Sequence, residues 1–242
     1  MSAPRRLQRV APAERPRRSG RPPGPSQAPR LRQRLIGEAS TLYADGGYAG
    51  LSYGTLATRT GLRKATVFHY FPNKDALVYA VFHALGERLE GAALGFDPPP
   101  ANYAQRLDRL VTSLVDFYGA DPVNARILCH GLLEVEHGAP GHLVGADAVP
   151  VFAHFVSRFV QFLEGGIAAG EFHPDRPLGT IMSIGGVILF EFMLPERARR
   201  VYGAGGVSLA ERRDEMIALI RRAVVRGSAR LTQRGLRRRT PI

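Results

Sequence analysis

The sequence is poor in several residue types, and each shortage excludes a class of protein. It has no tryptophan and a single cysteine, Cys129, in 242 residues. One cysteine cannot form an internal disulfide, so a disulfide-stabilised scaffold is excluded and a cytoplasmic location is expected. No run of about eighteen apolar residues is uninterrupted, because Glu191 and the pair Gly185 and Gly186 divide the most apolar stretch, residues 178–194. A membrane-spanning protein is therefore not expected.

The signatures of common enzymes are also missing. The chain has no G-x-S-x-G, no phosphate loop G-x-x-x-x-G-K-[ST] and no paired-cysteine motif. Cys129 stands beside His130, but neighbouring residues on a helix point apart, so a small buried thiol is the simpler interpretation. The sequence predicts that the protein is not an enzyme and has no cofactor.

One enzymatic alternative stays open. His130, Glu134 and His137 recur at positions i, i+4 and i+7, so they share one helix face. Histidine and carboxylate are zinc ligands, and such a face could serve a metal-dependent helical enzyme. An ordinary polar helix face has the same spacing, and no metal site is predicted.

Lysine is scarce although the chain is basic. Of 33 basic residues only Lys64 and Lys74 are lysine, and the net charge of +12 is uneven. Residues 1–34 hold ten arginines and one glutamate, and residues 226–242 hold six arginines and no acid, which leaves 17 basic and 20 acidic residues between them. Basic arms attract nucleic acid whatever its sequence, so a non-specific DNA-coating protein is a second alternative. A GC-rich genome would also favour arginine.

The stretch from Leu51 to Leu77 predicts two short helices joined by a glycine turn. Ser52 is a good N-cap, Gly61 lies where the chain must bend, and Pro72 ends the second helix. A helix-turn-helix presents its second helix to the DNA major groove. The open side of that helix carries Lys64, Ala65, Thr66, His69 and Tyr70. Such side chains suit guanine acceptors, phosphates and thymine methyl groups, whereas a plain helical hairpin would only expose them to solvent.

This stretch resembles the DNA-binding domain of the TetR family of transcriptional regulators, over about residues 30–80. The residues that match are Leu42, Tyr43, Gly46, Gly47, Tyr48, Ala57, Gly61, Thr66, Phe68, Phe71, Lys74 and Leu77. Two positions depart from the family pattern. Arg63 stands where the family usually has Ser or Thr as the cap of the recognition helix, and Phe68 stands where it usually has a Tyr that binds phosphate.

The resemblance implies a dimeric transcriptional regulator, usually a repressor, that binds double-stranded operator DNA. The residues expected to contact DNA are Arg30, Ser52, Thr55, Arg63, Lys64, Ala65, Thr66, Phe68, His69, Tyr70 and Lys74. The homodimer is expected through the last two helices, where small residues such as Ser183 allow close approach. An intramolecular core would explain the same composition.

The predicted fold is all-α, because apolar residues recur at helical spacing along most of the chain. Four segments are expected: a disordered basic arm (1–29), a helix-turn-helix domain (30–80), a helical effector-binding and dimerisation domain (81–227) and a basic tail (228–242). The resemblance also implies a small apolar effector, although a plain core could hold the same aromatic residues. The candidate pocket residues are Tyr103, Glu134, Phe152, His154, Phe155, Phe159, Met182 and Glu191.

Overall fold

The described part of the chain is helical. The computed structural model describes residues 28–93, 102–134, 150–173, 175–194, 200–201 and 206–227. Its named helices are α1 (Ala28–Gly50), α2 (Tyr53–Thr60), α3 (Lys64–Tyr70), α4 (Lys74–Ala93), α5 (Tyr103–Ala120), α6 (Val123–Glu134), α7 (Pro150–Ala168), α8 (Pro177–Met193) and α9 (Leu209–Val224). An antiparallel bridge joins Phe172 to Val225, and no strand occurs in these ranges. The all-α prediction is confirmed.

Some predictions concern residues outside that description. They are the basic arm as far as residue 27, the metal-ligand candidate His137 and the tail over 228–242. Among the described helices, none has the length and apolarity needed to cross a membrane.

The ends of α1 to α4 follow local signals in the sequence. Helix α1 extends to Gly50, but Gly46 and Gly47 have non-helical backbone angles and the chain bends there. Gly47 has φ 58°, a conformation that glycine adopts without strain. Asn73 caps α4, since its Oδ1 accepts a hydrogen bond of 2.8 Å from the backbone N–H of Ala76. The bend at Gly46 and Gly47 therefore lies near the end of α1, and the Asn73 cap sets the start of α4.

Helices α4 to α9 form the larger part of the core. Helix α5 buries one apolar face, which includes Leu107, Leu110 and Val111. Helix α7 comes so close to α4 at Gly86 that a side chain there would collide with Val151. Helix α9 lies against α5, and its arginines reach the acidic groups of α5 and α8. Those ion pairs are Arg221–Asp108, Arg213–Asp116 and Arg212–Glu191.

Helix α8 carries apolar residues on most of its sides. Within one chain it buries Ile184, Ile188 and Leu189, while the opposite face is exposed. The exposed positions on that face are Leu178, Gly179, Met182, Ser183, Gly186, Phe190 and Met193. The single chain therefore leaves an apolar stripe along α8 that its own core does not cover.

Candidate nucleic-acid interface

A tight turn joins α2 to α3. Gly61 adopts the left-handed conformation with φ 67°, and backbone N–H groups after α2 return to its last carbonyls. At the other end of α2, the Ser52 hydroxyl accepts a 3.5 Å bond from the N–H of Thr55. The predicted cap at Ser52 and the predicted bend at Gly61 are both present.

A phenol at the start of α2 fixes the end of α3. Tyr53 is buried, and its Oη lies 2.7 Å from the carbonyl oxygen of Phe71 and 2.6 Å from that of Asn73. These two carbonyls lie on either side of Pro72, where α3 stops and α4 begins. Burial raises the pKa of Tyr53, with a smaller contribution from the charge of Asp75, so the phenol keeps its proton and its donor role. The hydroxyl therefore connects α2, α3 and α4.

Helix α3 faces solvent with the residues that the sequence assigned to its open side. Val67 is fully buried and anchors the helix, whereas Lys64, Ala65, Phe68 and His69 are exposed. These four are spaced i, i+1, i+4 and i+5, so they lie on one face. Thr66 and Tyr70 are half-buried at its two sides. The arrangement gives one outward face that a nucleic acid can approach.

The two departures from the family pattern have clear geometric consequences. Arg63 occupies the N-cap of α3, makes no side-chain cap bond and is exposed, so its guanidinium is directed to solvent. Phe68 is 45% exposed, and its ring meets the Tyr53 ring edge to face with centroids 4.4 Å apart. Lys64 Nζ lies 5.8 Å from the centroid of the Phe68 ring. Phe68 thus adds an apolar ring to a basic surface.

Further cations flank this face. Arg30 is exposed on the first turn of α1, where Arg32 stacks 5.3 Å above the Phe71 ring. Lys74 Nζ lies 4.2 Å from the centroid of Tyr48, and burial lowers the pKa of this lysine. The hydroxyl of Tyr48 donates a 2.6 Å bond to Asp75, which together with burial raises the pKa of Tyr48 to about 12. Lys74 is therefore held in position by Tyr48.

The eight residues predicted for the effector pocket have different surroundings. Phe152 packs against Phe82, while Phe155 contacts Phe159. Tyr103 contacts Phe162 and Phe172. The aromatic members of the set therefore pack against other aromatic rings.

Two polar members of that set form ion pairs, and its methionine is exposed to solvent. His154 is exposed, with Nε2 3.2 Å from Glu90 Oε1, and Glu191 lies 3.2 Å from Arg212. Met182 is 61% exposed on the outer face of α8. Their role as effector contacts stays a prediction.

Glu134, the remaining candidate, joins α6 to α1. Its Oε2 accepts a 2.5 Å bond from the hydroxyl of Tyr43, and its Oε1 accepts a 2.7 Å bond from the backbone N–H of Tyr48. Gly47 is required beside it, since a Cβ there would collide with the Glu134 carboxylate. Burial raises the pKa of Tyr43 above its ordinary range, and the bond to Glu134 adds to the effect. Sequence reasoning missed this contact, because its partners are 91 and 86 residues apart.

The same contact bears on the alternative of a metal-binding face. His130 Nδ1 is 3.9 Å from Glu134 Oε1, as the helical spacing requires, but both carboxylate oxygens already accept hydrogen bonds. Within the described ranges, no group of three or more His, Cys, Asp and Glu side chains is arranged to hold a metal ion. His137 lies outside them.

Comparison with known proteins agrees with this geometry. Residues 35–81 match the model of bacterial regulatory proteins of the tetR family. A regulatory protein of the tetR family from Rhodococcus RHA1 has a similar fold, with 20% identity, 79% of this chain and 95% of that chain covered, and a TM-score of 0.64. AibR, solved with isovaleryl coenzyme A and operator DNA, has 19% identity, coverage of 78% and 96%, and a TM-score of 0.62. No match was found among curated proteins.

Proposed function

We propose that this chain, whose helix-turn-helix domain belongs to the tetR family of bacterial regulatory proteins, acts as a dimeric repressor that a small molecule releases from its operator. The resemblance drawn from the sequence is confirmed by the family match over residues 35–81 and by the shared fold. The observation that carries the proposal is the outward face of α3, which lies within that match. Transcriptional regulation follows from the family; the dimer, the repression and the effector are our inference.

The face of α3 has the chemistry needed to recognise DNA. Lys64 can donate to guanine acceptors, Thr66 can bond a base or touch a thymine methyl, and the small Ala65 lets the helix come close. Arg30, Arg63 and the half-buried Lys74 supply positive charge for the phosphates beside the groove. This division assigns base recognition to α3 and positioning to its flanks.

The apolar stripe of α8 supports pairing with a second copy of the chain. Leu178, Met182, Phe190 and Met193 are exposed along one side of the helix, and Phe190 is 65% exposed. When a single chain exposes contiguous apolar surface of this kind, that surface commonly binds another protein chain. Gly186 lies within the stripe and permits a close approach of two backbones. A twofold pair would place two copies of α3 on half-sites separated by one or more turns of the duplex.

The effector would act on the spacing of the two copies of α3. AibR was solved with both isovaleryl coenzyme A and operator DNA, which supports an effector for this chain through the shared fold. A ligand shifts such an equilibrium only by its differential affinity for the two states. A coupling free energy of about 1–3 kcal/mol would change operator affinity roughly 5- to 150-fold.

DNA binding is tested with duplexes selected from a random-sequence pool by the full chain. Lys64→Ala and Thr66→Ala should each weaken binding to the selected duplex about 5- to 150-fold, the range for one base contact. Arg158→Ala, which removes one positive charge from α7, should leave that affinity nearly unchanged. Circular dichroism reports whether each variant is folded. Failure to enrich any sequence, or wild-type affinity in both α3 variants, would overturn the assignment.

The dimer is tested by sedimentation of the full chain. Phe190→Glu introduces a charge into the exposed stripe of α8 and should shift the protein towards monomer. Gln161→Glu, an exposed position on α7, adds the same charge and should leave the dimer intact. A wild-type chain that sediments as a monomer at micromolar concentration contradicts the pairing.

A further inference from the structure

An exposed aromatic ring lies in the middle of the surface that would meet DNA. Phe68 is 45% exposed, and within α3 it is the one large apolar side chain classed as exposed. Its neighbours on the same face are Lys64, Ala65 and His69. A phenyl ring has neither donor nor acceptor, so it cannot bind phosphate or the polar edge of a base. The ring can therefore take part in recognition only through an apolar contact.

The ring is held in one orientation before any ligand arrives. The Tyr53 ring meets Phe68 at 73° with centroids 4.4 Å apart. Tyr53 is itself fixed by the carbonyls of Phe71 and Asn73, at 2.7 and 2.6 Å. A preorganised side chain loses little conformational entropy when it binds. Phe68 thus presents a rigid apolar surface to the groove.

Thymine supplies the matching group. In the major groove the base edges are donors and acceptors, except for the 5-methyl group of thymine, which packs against apolar side chains including phenylalanine. We propose that Phe68 is a specificity-determining residue that packs against the 5-methyl group of one thymine in each half-site. The inference rests on the proposed function, because it takes α3 to lie in the major groove.

The test removes that methyl group and nothing else. Each thymine of the duplex selected by the full chain is replaced in turn by deoxyuridine, and affinity is measured by fluorescence anisotropy at fixed salt. When deoxyuridine replaces the contacted thymine of one half-site, wild-type protein should bind the duplex about fourfold more weakly than the parent duplex. This is the ratio expected for one buried carbon. Replacing both symmetric thymines should cost roughly 15-fold, since the two heads contribute separately.

Variants assign the effect to the ring. Phe68→Ala should bind the parent duplex more weakly than wild type and should bind the deoxyuridine duplex with the same affinity as the parent. Phe68→Leu should keep part of the preference for thymine, because leucine is also apolar. Lys64→Ala should lower the affinity for the parent duplex and for the deoxyuridine duplex by the same factor, so that the ratio of the two affinities is unchanged.

Two results overturn the proposal while leaving DNA recognition intact. The first is a wild-type protein that binds every deoxyuridine duplex as tightly as the parent. The second is a folded Phe68→Ala that keeps the full sensitivity. Failure to select any duplex removes the proposed function itself, and the contact with it.

Discussion

Removing the Glu134 carboxylate should destabilise the protein, because this group joins α6 to α1 through two bonds. Glu134→Ala deletes the acceptor of the Tyr43 hydroxyl at 2.5 Å and of the Tyr48 N–H at 2.7 Å. Tyr43 is 2% exposed, so its hydroxyl would be left buried without a partner. The Tyr48 N–H is nearer the surface, where water can replace part of the lost bond.

The magnitude follows from these environments. A hydrogen bond to a charged group contributes about 1.5–3 kcal/mol, and the buried Tyr43 bond belongs within that range. The Tyr48 bond adds a smaller loss, because water can bind the exposed part of its N–H group. The expected total loss in free energy of unfolding is about 3 kcal/mol. In a chain of this size, that loss lowers Tm by roughly 6–12 °C. The ion pair to His130 at 3.9 Å adds little, since its imidazole is one-third exposed.

The assay is thermal and urea unfolding followed by circular dichroism. Glu134→Gln keeps the size and one acceptor oxygen, so its loss should be smaller than that of Glu134→Ala. Glu164→Ala, an exposed position on α7, is the matched control. A double-mutant cycle with Tyr43→Phe should give a coupling energy of at least about 1 kcal/mol. A Glu134→Ala variant that melts within about 2 °C of the wild type would refute the reasoning, because that shift is under about 1 kcal/mol.

Three further predictions follow from packing, titration and charge. Gly86→Ala should destabilise the chain by about 1–3 kcal/mol, because a Cβ at this position collides with Val151. Gly91→Ala in the same helix is the control and should stabilise the chain slightly, because a Cβ there meets nothing within 4 Å. Denaturant midpoints measure both. Burial raises the pKa of Tyr118 above its ordinary value of 10.0, so the unfolded chain loses this proton first and stability falls as pH rises above that value. Tyr118→Phe should flatten the fall by up to about 1.4 kcal/mol per pH unit, and an unchanged slope in urea titrations above pH 10 contradicts it. Deleting residues 1–29, with seven arginines and one glutamate, should reduce the salt dependence of DNA affinity, and an unaltered slope of log K against log salt would show that the arm does not contribute.

Local signals in the sequence predicted the helix-turn-helix because each acts within a few residues. Ser52 bonds an N–H three positions on, Gly61 adopts the angles that the turn needs, and α3 stops just before Pro72. The order of the later helices was likewise predictable from apolar spacing. The ends of individual helices are less predictable; α1, for example, continues past the bend at Gly46 and Gly47 to Gly50.

Contacts between distant segments could not be predicted in the same way. Nothing near Glu134 in the sequence indicates that Tyr43 and Tyr48 are its partners. The helical spacing suggested a metal-binding face instead, and the family resemblance suggested an effector contact. The exposed ring of Phe68 was visible only as a missing hydroxyl, since its packing against Tyr53 depends on how α2 crosses α3. The division into domains and the roles of the tails stay predictions.

The contacts of the Tyr53 hydroxyl separate the support of α3 from the identity of its exposed side chains. Because this phenol lies within hydrogen-bond distance of the carbonyls on both sides of Pro72, it holds the end of α3 through backbone atoms, whose positions do not depend on side chains such as Ala65 and His69. Under the proposed function, substitutions at exposed positions such as Ala65 and His69 would change which bases are preferred while this support is retained. If α3 contacts DNA as proposed, a duplicated gene could acquire a new target site through a few changes on this one short helix.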